Sequence, residues 1–361
     1  MKLYILAGED SGDLHASKLM EALRGLDKSW EFRGIGGDKM ITQGLDHIAH
    51  IKDVNFMGFF EVVQHLGTIR RMFRKVKEDL LQWKPDAILL VDYPGFNLRM
   101  APFIKEELGI PIIYYISPQL WAWKKGRVKT IRKYVDKMMV ILPFEKDFYA
   151  EEHVEADFVG HPLLDVIPPL GERNPEPGLV ALLPGSRKQE IQRMLPVMLS
   201  LPARFPDLNF IVAGAPSQSP EFYHSIIGDA RVSLVQNDTY ELLKRAETAV
   251  VTSGTATLEA GLFGVPEVVV YKAHPISYLI GKRLMQVAHM SLVNLILDRR
   301  AVPELLQSQF NPDTLAETLE DLRTAATQKK LGKDFVLLRK KLGDAGAAER
   351  AAHIVNKAIS Q

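Results

Sequence analysis

With 361 residues, the chain is long enough for two domains rather than one. Hydrophobic residues make up 47% and charged residues 25%, the balance of a globular protein that folds in water. A net charge of +1 gives no case for nucleic acid as a partner, and the absence of cysteine excludes disulfides, thiolate metal sites and cysteine nucleophiles.

The chain opens MKLYILAGEDSGD. Its apolar part is too short for the core of a signal peptide, and acidic residues follow at once. No window reaches the ~18 apolar residues of a membrane span, so a cytoplasmic protein is the expectation. Lys2–Ala7 reads as a strand, residues 8–13 as a glycine- and acid-rich turn, and 14–26 as a helix. Strand, turn, helix is the opening of an α/β unit. Glu9, Asp10, Ser11 and Asp13 crowd that turn. They suit substrate hydroxyls or amides, and Ser11 to Asp13 equally suit capping of the helix that follows. His15 begins that helix. The Gly34-Ile35-Gly36-Gly37 cluster reads as a turn.

Residues 56–73, FMGFFEVVQHLGTIRRMF, bring Phe56, Met57, Phe59 and Phe60 close together. Arg70, Arg71, Phe73 and Arg74 follow at helical spacing, with Lys75 and Lys77 beyond. A basic amphipathic helix of this kind can lie on an anionic membrane surface, and the same pattern also describes a core stripe with a solvated face. Ala87–Val91 is a continuous apolar strand, as a sheet covered on both faces requires, and it delivers Asp92 at its carboxyl end. Asp92 is placed to act as a general base or to bond the turn stiffened by Pro94 and Gly95. Trp121 and Trp123 sit among basic residues in SPQLWAWKKGRVK, as a second edge of the aromatic region or a buried turn. Strands at 110–116, 137–142 and 156–159 complete the first half, and His161 follows in VGHP.

Residues 167–178, IPPLGERNPEPG, are a linker rich in proline and glycine. A second series then begins. Strands are expected at Leu179–Leu183, 209–213, 231–235, Thr248–Thr252 and Glu267–Tyr271, with helices at 188–199, 239–246 and 255–263 between them. The expected organisation is thus a domain over 1–166, a linker over 167–178, a second domain over 179–311 and a helical region over 312–361. One placement for that last region is back against the N-terminal domain. Two Rossmann-like halves facing across a cleft is the expected architecture.

Two turns of the second half stand between a strand and a helix, where unpaired N–H groups favour anions. Gly185-Ser186-Arg187 offers close backbone approach and a guanidinium fork for a diphosphate. In the alternative, Ser186 caps the helix and Arg187 pairs with Glu190. Ser253-Gly254-Thr255 offers N–H and O–H donors, and Glu259 lies one turn on, in reach of a ribose. The alternative there is an N-cap serine with a solvated glutamate. A Walker A loop, GxGxxG after the first strand and HExxH are all missing from the sequence, so no metal site and no cofactor are expected.

The chain resembles the lipid-A-disaccharide synthase family, bacterial inverting glycosyltransferases of the GT-B class. The stretches that carry the resemblance are LAGEDSGD (6–13), FMGFFEVV (56–63), VDYPGFN (91–97), YYISPQLWAWKKGRV (114–128) and LPFEKDFY (142–149). They continue with FVGHPLLD (158–165), LLPGSRKQEI (182–191), TSGTATLEAG (252–261) and SLVNLI (291–296), in family order over nearly the whole chain. The resemblance implies transfer of 2,3-diacylglucosamine from UDP-2,3-diacylglucosamine to lipid X, 2,3-diacylglucosamine 1-phosphate. It implies a β-1′,6-linked disaccharide 1-phosphate and UDP as products, and work at the cytoplasmic face of the anionic inner membrane. It places UDP in the second half and the lipid acceptor in the first, and it turns the 56–77 patch into a membrane-contact expectation. The family's essential aspartate and arginine match Asp92 and Arg187. A second family aspartate, three residues on, is Gly95 here. The family's asparagine of the SLPNLL-like stretch maps to Asn294, implied near UDP. A homodimer is left open. Other cell-wall GT-B enzymes, a UDP-sugar epimerase, a nucleotide-sugar binding module and an interaction protein are the competing readings.

Overall fold

The structure is a computed structural model and describes residues 1–54, 66–171, 173–273 and 288–360. It divides into two units, Met1–Asp165 with Asp344–Gln361, and Val166–Gly343.

The first unit holds a seven-stranded parallel sheet of β1 (Lys2–Ala7), β2 (Glu31–Gly36), β3 (Leu45–His50), β4 (Ala87–Val91), β5 (Ile112–Tyr115), β6 (Lys137–Val140) and β7 (Ala156–Phe158). Their spatial order is β3-β2-β1-β4-β5-β6-β7. Side chains alternate between the two faces. Tyr4, Leu6, Ile88, Leu90, Ile112 and Tyr114 meet Val76 and Leu80 of the helix Leu66–Trp83 on one side. Leu3, Ile5, Ala87, Leu89, Ile113 and Tyr115 meet Ala16, Leu19 and Leu23 of the helix Asp10–Leu26 on the other. The chain's last helix, Ala347–Ser360, adds Ala351, Ala352 and Val355 to that second face.

The second unit repeats the plan with β8 (Leu179–Leu183), β9 (Asn209–Gly214), β10 (Ser233–Gln236), β11 (Thr248–Thr252), β12 (Glu267–Tyr271) and β13 (Glu304–Leu306). Their order is β10-β9-β8-β11-β12-β13, again all parallel. This is the doubly wound arrangement, with its reversal of direction between β8 and β11.

Three local expectations are corrected. The first helix starts at Asp10, not at residue 14. Glu9 is extended at its N-cap, and Asp10 and Asp13 lie in the first turn, where the helix dipole favours carboxylates. Gly34, Ile35 and Gly36 belong to strand β2 rather than to a turn. Gly34 has φ +142° and a Cβ there would meet the Ile5 carbonyl oxygen at 2.0 Å, so glycine serves the close approach of β1 beside a register shift. The helix after β8 is capped at Arg187, not at Ser186, and begins at Lys188.

Candidate functional site

Parallel pairing aligns the carboxyl ends of neighbouring strands. Ala7 pairs with Val91, Val91 with Tyr115, and Tyr115 with Met139, so the turns after β1, β4, β5 and β6 line one edge. The strand order reverses between β1 and β4, which opens a crevice beyond their carboxyl ends. Glu9 follows β1 and Asp92 follows β4, one on each side of it.

Asp92 and Tyr93 have φ of +44° and +46°. Left-handed backbone costs a non-glycine residue roughly 1–2 kcal/mol, least for Asp and Asn and more for a bulky side chain such as Tyr93. Contacts hold the turn. The Tyr93 ring lies where a Cβ on Gly8 would sit, 2.3 Å away, so glycine is required after β1. Tyr93 stacks on Phe96 at 5.7 Å and Phe96 on Phe73 at 4.2 Å. The Asp92 N–H donates to the Tyr115 carbonyl at 3.0 Å. Part of Asp92 stays open to solvent, but protein crowds its carboxyl. Loss of water pushes its pKa up to about 7, helped by the negative charges of Glu9 and Glu145 and opposed by the Tyr93 N–H.

Glu145 is a second carboxyl, one that the sequence pattern did not single out. It is buried beyond β6, in the first turn of the helix Pro143–Glu151. It accepts the Trp121 indole N–H at 3.1 Å and the N–H groups of Ile141 and Leu142 at 3.2 and 3.0 Å. Burial raises it to about 7 against those bonds. The two tryptophans therefore divide: Trp121 turns inward to Glu145, whereas Trp123 is 44% exposed beneath the Lys124 ammonium.

The remaining first-turn residues separate by environment. Asp10 and Ser11 are exposed and Glu9 is half-buried. Asp13 is buried and spent: it accepts from Gly37, Met40 and Lys39 N–H at 2.7, 3.0 and 3.1 Å, capping the helix Asp38–Thr42. That removes it from the acceptor candidates and corrects its expected capping of its own helix. His15 and His161 are buried, and burial lowers them to about 4 and about 3, so both are neutral near pH 7.

In the second unit the reversal falls between β8 and β11, with Val251 opposite Leu183. Both expected turns stand there. Gly185 has φ +103°, which glycine alone adopts freely. Ser186 is exposed and its carbonyl accepts from Ser217 Oγ at 3.0 Å. Arg187 is exposed and donates Nη1–H to Glu190 at 2.8 Å. Gly254, with φ +156°, is the N-cap of the helix Thr255–Leu262, so Ser253 is not. Ser253 Oγ instead donates to the Met290 carbonyl at 3.0 Å, and Thr255 is exposed at the helix start. Glu259 is not simply solvated either: the Tyr240 hydroxyl donates to it at 3.0 Å, and burial raises its pKa.

Asn294 is corrected from a ligand contact to a lock. It is fully buried; its Nδ2 donates to Val302 O and Glu304 Oε1 at 2.9 and 2.7 Å, and its Oδ1 accepts from Ala301 and Val302 N–H at 2.8 and 2.9 Å. Two donors and two acceptors exhaust an amide, so none remains for uridine. Of the aromatic–basic patch, Phe56, Met57, Phe59 and Phe60 lie outside the described residues. Arg70, Arg71 and Arg74 are exposed, but Phe73 stacks on Phe96 and packs into the core, which corrects its place as a membrane contact. Gly95 is exposed, with no atom of the described residues within 4 Å of a Cβ placed on it.

Two Rossmann-like parallel sheets in one chain, with charged and glycine-bearing turns at the reversal of each, define an α/β protein of the GT-B class. The solved S. aureus MnaA–UDP co-structure shares that fold, with a TM-score of 0.67 at 13% identity, covering 99% of this chain and 97% of that one. The family model for lipid-A-disaccharide synthetase matches residues 3–358. The lipid-A-disaccharide synthase of Syntrophus aciditrophicus is 42% identical over 96% of this chain and 95% of its own length. That of Myxococcus xanthus is 40% identical over 98% and 96%. The chain belongs to the lipid-A-disaccharide synthase family, and it is an enzyme, a glycosyltransferase of lipid A biosynthesis.

Proposed function

We propose that the chain transfers 2,3-diacylglucosamine from UDP-2,3-diacylglucosamine to the 6-hydroxyl of lipid X in one inverting displacement. The observation that carries the residue assignment is Asp92, held at the reversal of the first sheet with its pKa pushed up to about 7. A base with that pKa is half ionised at neutral pH and strong enough to take a hydroxyl proton as the oxygen attacks the anomeric carbon. Departing UDP gains negative charge in the transition state. Arg187, the Gly185–Ser186 backbone, Ser253, Gly254 and Thr255 are the donors assigned to it, and Glu259 is assigned to the uridine ribose.

The test is turnover of UDP-2,3-diacylglucosamine and lipid X in detergent. Expected products are UDP and a tetra-acylated disaccharide 1-phosphate whose new anomeric centre is β by its NMR coupling constant. An α linkage would overturn the single displacement. Epimerised donor with no disaccharide would overturn the acceptor assignment.

No helix among the described residues is long and apolar enough to cross a membrane. The proposed membrane contact is peripheral and uses the basic face of the helix Leu66–Trp83, where Arg70, Arg71 and Arg74 are exposed. Each basic residue near an anionic surface contributes about 1 kcal/mol. Replacing all three with glutamate is expected to abolish co-sedimentation with phosphatidylglycerol vesicles while detergent turnover persists. Unchanged sedimentation would remove this face from membrane binding.

A further inference from the structure

The turn that carries Asp92 is strained, and two buried side chains converge on a single atom of it. The Asp92 carbonyl oxygen accepts Nδ2–H of Asn97 at 2.8 Å and the hydroxyl of Tyr114 at 2.5 Å. The same Asn97 amide lies 3.3 Å from the Leu6 carbonyl and 3.4 Å from that of Val91, so it ties β1 to β4 beside their crevice. Asn97 and Tyr114 are both fully buried. Asn97 spends its donors on these carbonyls, and its buried Oδ1 has no hydrogen-bond partner among the described residues. A buried acceptor without a partner detracts from stability.

We propose that Asn97 and Tyr114 are positioning residues, which set the direction of the Asp92 carboxyl by clamping its own carbonyl. The inference rests on Asp92 as the base. Left-handed φ decides where Cβ leaves the backbone. Releasing the carbonyl lets the 92–93 peptide rotate about ψ of Asp92 and φ of Tyr93, so the left-handed pair relaxes and the accompanying shift at Asp92 Cα swings the carboxyl away from the acceptor hydroxyl. A base works only within hydrogen-bond reach of its proton, and a displacement of about 1 Å can cost on the order of 10²-fold in rate.

Tyr114→Phe removes one hydroxyl and keeps the ring, so it is the first variant. Asn97→Ala is the second, with thermal melting measured on both. The expected result is a kcat lowered about 10- to 100-fold, with the KM for each substrate within about twofold and a melting temperature showing a folded enzyme. On an Asp92→Asn background Tyr114→Phe is expected to add no further loss, because residues that act through one another are not additive. Full multiplicative loss on that background would overturn the inference, since Tyr114 would then act without Asp92. So would a Tyr114→Phe enzyme with wild-type kcat while Asp92→Asn is inactive, an outcome that leaves the base assignment standing. Wild-type kcat in Asp92→Asn itself would remove the base, and the positioning role with it.

Discussion

Asp92→Asn is expected to lower turnover roughly 10²- to 10⁴-fold while the protein folds as before. The substitution is nearly isosteric, and asparagine tolerates the left-handed backbone at φ +44° as well as aspartate does. The bonds from Asn97, Tyr114 and Tyr115 reach its carbonyl and its N–H, so they survive the change, and the Tyr93 N–H that faces its carboxyl finds an acceptor in the asparagine Oδ1 as well. What is lost is the ability to accept a proton. The pH dependence gives a second reading of the same group. Burial, Glu9 and Glu145 raise Asp92 to about 7. A base acts only when ionised, so kcat/KM should rise with pH up to about 7, falling about tenfold for each pH unit below it, and level off above. Glu145 is also raised to about 7, so that limb belongs to both carboxyls together. Glu145→Gln removes one negative charge facing Asp92, and the limb should move to lower pH. Kinetics over pH 5–9 with circular dichroism melts decide the matter. Near-normal kcat in folded Asp92→Asn would move the base elsewhere, to Glu9 first, across the same crevice.

Near-continuous apolar runs were legible because a strand buried on both faces is made mostly of apolar residues, with polar ones such as Thr248, Thr252 and Glu267 at its ends. Ala87–Val91, Leu179–Leu183, Thr248–Thr252 and Glu267–Tyr271 have the same bounds in sequence and structure. β2 is broken by Gly34 and Gly36, β3 carries Asp46 and His47 on exposed positions, and β13 spans only Glu304–Leu306, so none of them shows a period long enough to read. The same limit applies to sites. Sequence names the residue at a strand end but not the order of strands, and it is strand order that sets Glu9 near Asp92 and the Gly185 turn against Thr252. Nor does residue type reveal spent capacity. Asp13 and Asn294 are polar residues within motifs, yet every group they offer goes to backbone or to Glu304. Conversely, nothing in the sequence singles out Glu145, and only its burial against Trp121 marks it. Phe73 shows why aromatic stripes mislead: a core contact and a membrane contact share one spacing.

Arg187→Ala is expected to lower kcat/KM for the UDP-sugar roughly 10²- to 10³-fold, most of it in kcat. The reasoning starts from what the side chain does without substrate. Its side chain is 57% exposed and its guanidinium is paired with Glu190 at 2.8 Å, three residues along the same helix start. An exposed pair of this kind contributes about 0.5 kcal/mol or less, so truncation should leave the melting temperature nearly unchanged. The Glu190 carboxylate already binds both the guanidinium and the Arg187 N–H, at 3.4 Å for the latter, which shows this turn attracting an anion of its own chain. A diphosphate carries more charge than a carboxylate, and it gains more as the sugar departs, so the same donors bind it most strongly in the transition state. Arg187→Lys separates charge from shape. Lysine keeps the positive charge but not the planar fork, and it should recover only part of the loss. Calorimetric UDP affinity together with single-turnover rates makes the distinction. Weaker UDP binding with an unchanged chemical step would make Arg187 a ground-state contact only. Kinetics near wild type in both variants would remove it from the donor site and leave the Ser253–Thr255 turn to hold the diphosphate.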